Sequence, residues 1–175
     1  MVVLAVSLEE LLTRLRAAAK LAERLHRGNL EQFAEEALRL LERGDVRDAA
    51  EKAWAAYKSL LGLILATRGL SLIEERVRKA WEQRSPASAE KELEWWAQTG
   101  LLVPSARPKL EQIARLAAEA VGDREIYERL VEAVVLHLWF YHGPDIVPLS
   151  EEAVKERIVD LVDWARKRAK QYGLL

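Results

Sequence analysis

The chain has no cysteine, one methionine and one asparagine in 175 residues. Without cysteine there is no disulfide, no thiolate nucleophile and no cysteine-based zinc site. Excess charge of one sign is also missing, since 27 basic side chains meet 28 acidic ones for a formal net charge of −1. Bulk electrostatics therefore do not draw the protein to nucleic acid or to an anionic membrane, and any such binding needs a local basic patch. No apolar run approaches the roughly 18 residues of a membrane span. The opening MVVLAV is too short for a signal-peptide core and has no basic segment before it. The expected location is the cytoplasm, with no membrane partner. Neither an alternating strand pattern nor a Gly-rich phosphate loop occurs.

What remains is a soluble, folding composition: half of the residues are hydrophobic and 31% are charged. The length suits one domain, 1–175, with a sizeable core. Arginine outnumbers lysine, 18 to 9, while asparagine, methionine and glutamine are scarce. That is a thermophile's balance of many ion-pairing and few thermolabile side chains.

The whole chain reads as helix, in about eight segments. Ser7-Leu8-Glu9-Glu10 is a capping box, followed by Leu8, Leu11, Leu12, Leu15 and Ala18 at helical spacing. His26-Arg27-Gly28 reads as its stop and Asn29 as the cap of a second helix carrying Leu30, Phe33, Ala34, Ala37, Leu38 and Leu41. Gly44-Asp45 stops that helix and starts a long third one to Gly69. A fourth runs from about Leu72 to Arg84. Ser85-Pro86 opens a fifth, which carries Trp95 and Trp96 and stops at Gly100. LLVPSARP reads as a loop. Leu110 to Val121 forms a sixth helix. A seventh, about 123 to 142, is apolar nearly all round after Leu130, which suits the middle of a bundle. Ser150 caps the last helix, with acids at its start and Arg166, Lys167, Arg168 and Lys170 at its end. The expected architecture is an all-α, antiparallel up-and-down bundle with the third and seventh helices at its centre. Residues 35 to 57 have a faint tetratricopeptide look, but the ~34-residue period does not continue.

Two separated stretches resemble the archaeal PaREP-one family. The first holds Gly44, Asp45, Ala50, Glu51, Lys52, Trp54 and Ala55, a Gly-Asp cap followed by Glu-Lys-x-Trp and small residues. The second holds Leu136, His137, Leu138, Trp139, Phe140, Tyr141 and His142. Trp139 stands where the family tends to have Asn, and His142 where it tends to have Glu. The final helix also fits, whereas 70–108 matches poorly and looks like an inserted helical hairpin. The resemblance implies a HEPN-like helical bundle, a homodimer and no established activity. HEPN ribonucleases carry Arg, four to six residues, then His. Counting back from His137 reaches Glu132, Val131 and Leu130, none of them Arg. Arg129 has seven residues between, which puts it about 80° around and about 12 Å along the helix.

His137 is the candidate for acid–base chemistry, with Glu51 to hold its tautomer and Tyr141 four residues on along the same face. The bland alternative is a buried histidine that fixes helix register. Lys52 and Trp54, with His142, are the candidate ligand contacts: an ammonium for an anion and an indole to stack a ring. Set against that is a core tryptophan with ion-paired neighbours. Trp95 and Trp96 point about 100° apart, so one is a candidate for an interface. Arg14, Arg16, Arg24 and Arg27 read either as a phosphate track or, with acids interspersed, as a salt-bridged face. His137, His142 and Asp145 lack the spacing of a metal site, and neither a metal nor a cofactor is expected. The functional expectation is a non-catalytic interaction or ligand-binding module. The alternatives are a HEPN-like RNA-binding or RNA-cleaving component of a toxin–antitoxin or defence pair, and a nucleotide or small-anion binder. A homodimer is expected, with a further protein partner open.

Overall fold

The computed structural model describes residues 6–103 and 109–175. Met1 to Ala5, and Pro104 to Pro108 of the expected loop, lie outside the described residues. Those described contain seven α-helices, not about eight, and no strand. They are α1 (Leu8–Glu42), α2 (Val46–Thr67), α3 (Leu70–Gln83), α4 (Pro86–Trp95), α5 (Lys109–Val121), α6 (Glu125–His142) and α7 (Glu151–Gln171).

The helix count drops because α1 runs straight through Gly28. Its buried stripe continues as Leu15, Ala19, Ala22, His26, Leu30, Ala34 and Ala37, so His26 takes a position that period assigns to an apolar residue. Gly28 sits on the exposed side, where a glycine costs a helix about 1 kcal/mol and does not end it. The real stop is Gly44, at φ +79°, with the Asp45 and Gly44 amides folded back onto the Leu40 and Leu41 carbonyls. Asp45 then caps α2 by accepting from the Asp48 amide at 3.3 Å.

Helix α2 is the centre, as its sequence suggests: fifteen of its 22 residues are buried. It packs along α1 and also touches α3, α5, α6 and α7. A close approach occurs at Gly62, where a Cβ would lie 2.3 Å from Nε2 of His26. Only a residue without a side chain lets α1 sit this low on α2.

Helix α6 is not central, contrary to expectation. Just four of its residues, Ile126, Ala133, Leu136 and Trp139, are buried, while Val131 is 70% exposed. An apolar sequence all round a helix fixes neither how many faces are covered nor by what.

The chain turns by 70° between α2 and α3. Helix α3 packs against α4, and both touch α1. Ile73, Val77 and Leu93 anchor this pair in the common core. The expected stop at Gly100 does not occur. A π-helical segment, Trp96–Leu102, extends α4. Within it the Trp96 ring lies over Gly100, where a Cβ would be 2.5 Å from Cε3.

Helix α7 closes the molecule with Val154, Ile158, Leu161, Val162 and Ala165 facing inward, as their spacing predicts, together with Trp164. Its basic end also has definite partners. Arg166 reaches Glu31 of α1 at 3.2 Å, and Arg168 binds Glu125 and, at 3.3 Å, Asp123. No single helix among the described residues is long and apolar enough to cross a membrane.

Candidate functional site at the seam of α2 and α6

Glu51 and His137 are 86 positions apart and meet where α6 crosses α2. The Glu51 carboxylate accepts from Nδ1 of His137 at 2.8 Å. A carboxylate at Nδ1 holds the proton there and leaves the lone pair of a neutral imidazole on Nε2. The ring is fixed on two further sides. Trp54 stacks on it with centroids 4.7 Å apart and planes at 22°, and Tyr141 meets it edge-on at 5.0 Å. Both members of the pair keep contact with water, with side-chain exposures of 25% for His137 and 30% for Glu51.

Lys58 also belongs to this group. Glu51, Trp54 and Lys58 stand at i, i+3 and i+7, one face of α2. The half-buried Lys58 ammonium lies 5.2 Å over the Trp54 ring and has no ion pair among the described residues. Burial pushes its pKa down, and the nearby Glu51 charge opposes that shift. The face spacing was available in the sequence. What hid it is that a lone lysine on a helix ordinarily points to water.

The other candidates are placed elsewhere. Lys52 turns to α1, pairing with Glu36 at 2.7 Å and lying 5.3 Å over Phe33. With Trp54 stacked on His137, the two do not converge on a common ligand. His142 is exposed at the end of α6, with its ring 6.4 Å from that of Tyr141. Trp139 is buried and donates to the Leu149 carbonyl at 3.3 Å, so it ties α6 to the segment before α7.

Trp96 is fully buried within the chain, which removes it from any interface. Its indole donates to Glu92 at 3.0 Å and meets Trp95 edge-on at 4.5 Å. Trp95 is half-buried against the core. Of the four arginines named on α1, Arg14 pairs with Glu90, Arg16 with Glu74 and Glu9, and Arg27 with Glu23, while Arg24 is exposed.

Arg129 does not approach His137. It points toward α7, bound to Glu132 at 2.6 Å and to Asp160, with its guanidinium 5.3 Å over Trp164. It lines a groove of about 960 Å³ that runs along α7 and does not include the Glu51–His137 pair. Four of the charged groups lining that groove, Arg129, Arg168, Glu125 and Asp160, are already paired with one another or with their neighbours.

His26 escaped the sequence reading, which took it for part of a helix stop. It is buried, its Nε2 bonds the Leu101 carbonyl, and its Nδ1 has no partner among the described residues. Burial lowers its pKa, and the Leu101 bond works against that shift.

Chemically, the α2–α6 seam offers an oriented imidazole able to exchange a proton at Nε2. No Ser or Thr hydroxyl among the described residues bonds to that ring. Nor do three His, Asp or Glu side chains cluster there as a metal site requires, among the described residues.

A model of the archaeal PaREP1/PaREP8 family matches residues 25–162. The chain belongs to that family. The PaREP1/PaREP8 match spans both halves of the seam, from Glu51, Trp54 and Lys58 to His137 and Tyr141, and also runs through 70–108. Comparison with curated proteins and with solved structures gives no match.

Proposed function

We propose that the protein is a non-catalytic helical interaction module working through the outward face of α6. One observation carries this reading. Val131 is 70% exposed and Tyr141 60% exposed, with Val135 and Leu138 half-exposed between them. Apolar side chains at helical spacing outside the core leave water only when another surface covers them. The Glu51–His137 bond fits the same reading, because a half-buried imidazole at a helix crossing needs a partner whether or not it catalyses. We also read the seven helices as an up-and-down, HEPN-like bundle. The short turns between α1 and α2 and between α5 and α6 support it, since such turns join antiparallel neighbours.

A second reading, an RNA-acting component, is favoured by the Glu51–His137 pair alone. It works without Arg129, whose guanidinium is taken up by carboxylates on the α7 side. One experiment separates the two. Purified protein and the His137→Ala variant are incubated with mixed cellular RNA at low salt and elevated temperature, and scored for retention and cleavage. Intact, unretained RNA in both lanes is the expected outcome. Cleavage by the wild type that disappears in the variant would overturn the non-catalytic reading. Retention that weakens steeply with salt would move the assignment to RNA binding.

A further inference from the structure

The outward face of α6 has a pattern of its own. Glu128, Val131, Val135, Leu138 and His142 follow one another at intervals of four and three, the spacing of a coiled-coil seam. The residues α6 buries in its own chain, Ile126, Ala133, Leu136 and Trp139, lie off this line. Helix α6 therefore carries two apolar faces, and its own chain covers one.

We infer that the occupant of the second face is another copy of this chain, its α6 laid antiparallel on the first. This rests on the reading of α6 as a docking face and names the partner. Charge and symmetry argue for the arrangement. The apolar stripe from Val131 to Leu138 is centred between Val134 and Val135. An antiparallel copy turned about that centre sets Val131 against Leu138 twice and covers the whole stripe. The same register brings Glu128 level with the Tyr141 hydroxyl of the other copy, an acceptor facing a donor. It also brings Arg124 to the end of the other copy's α6, where the exposed Asp145 follows in the next turn, a cation near an anion.

Arg124 and Glu128 are available for this. Their side chains are 88% and 55% exposed, and the ion pair between them, at 2.8 Å, is a surface pair of small value. A parallel copy would instead set Glu128 against Glu128 and Arg124 against Arg124. A twofold, self-complementary contact is also the commonest way a chain pairs with itself. One helix face against its copy is smaller than a standard interface of about 1,600 Å², so dissociation is expected at about micromolar concentration.

The absence of cysteine makes the test clean, because each introduced thiol is alone in its chain. Val131→Cys, Leu138→Cys and Val135→Cys proteins are treated with a short bis-maleimide, separately and mixed, and run on denaturing gels. Circular dichroism checks that each is folded. Val135→Cys is expected to cross-link to itself. Val131→Cys and Leu138→Cys are expected to cross-link to each other when mixed, and far less when alone. Self-linking of Val131→Cys and Leu138→Cys would show parallel copies and overturn the arrangement. No cross-linking, with wild type monomeric by sedimentation at about a hundred times the expected dissociation constant, would overturn the dimer. That outcome leaves the docking face to a different protein. Cleavage of RNA dependent on His137 is the separate result that would remove the interaction reading itself.

Discussion

His26 shows how far one side chain departs from what its letter suggests. It occupies a core position on α1, over Gly62, with one ring nitrogen bonded to Leu101 and the other without a partner among the described residues. Charging that ring within the fold is opposed by burial, so its pKa lies below the ordinary 6.5. In the unfolded chain the ring binds its proton at the ordinary value. Protonation therefore favours the unfolded state. The contribution is at its full value above pH 6.5 and is lost as pH falls from there toward the lowered folded value. Melting temperature followed from pH 7.5 down to pH 5 should fall more for wild type than for His26→Gln, which does not titrate. Parallel curves for the two proteins would contradict this account. His137 differs in kind. Its partner is a carboxylate, its ring touches water, and its contribution is that of a pinned contact near the surface.

At the scale of elements, α1 and α6 reverse the reading that their own residues invite. Gly28 looks like a stop and is an exposed interior position of a 35-residue helix. Gly28→Ala is expected to stabilise the protein by about 0.5–1 kcal/mol, since nothing lies within 4 Å of a Cβ there and alanine is the better helix former. For a chain of this size that raises the melting temperature by about 1–4 °C. A loss of stability on the same substitution would mean that the helix bends or breaks at this glycine. Helix α6 looks like a core helix and is a lateral one with an open apolar stripe. The π-helical segment after α4 is a third case. Its wider turn is what lets the Trp96 ring settle over Gly100 and fill the core beside α1 and α2.

At the scale of the whole molecule, residues 70–103 are bound into the common core. Ile73, Val77, Leu93, Trp96 and Leu101 are all buried in the same cluster as α1 and α2, and His26 hydrogen-bonds across to Leu101. Helix α7 clamps the other side through Arg166 to Glu31 and Arg168 to Asp123. A core shared in this way unfolds as one unit. Calorimetry is expected to show a single transition whose calorimetric and van't Hoff enthalpies agree. Two resolved transitions, or an enthalpy ratio well above one, would make 70–108 an independent subdomain.

The all-helical class, the caps at Ser7, Asp45, Ser85 and Ser150, and the inward stripes of α2 and α7 were legible because they are local. They depend on spacings of three and four residues and on hydroxyl or carboxylate oxygens beside the first turn. The family was legible in two short stretches for the same reason, since each lies within one helix and its cap. Tertiary structure alone decided the rest. It carried α1 through Gly28 and set His26 against a buried carbonyl on a segment 75 positions away. It brought Glu51 to His137 and added Lys58, while taking Lys52 to Glu36 and Trp96 into the core. It left one apolar face of α6 uncovered. A helix's sequence specifies which faces it can bury. The partner that covers each face is set by distant segments competing for the same contact.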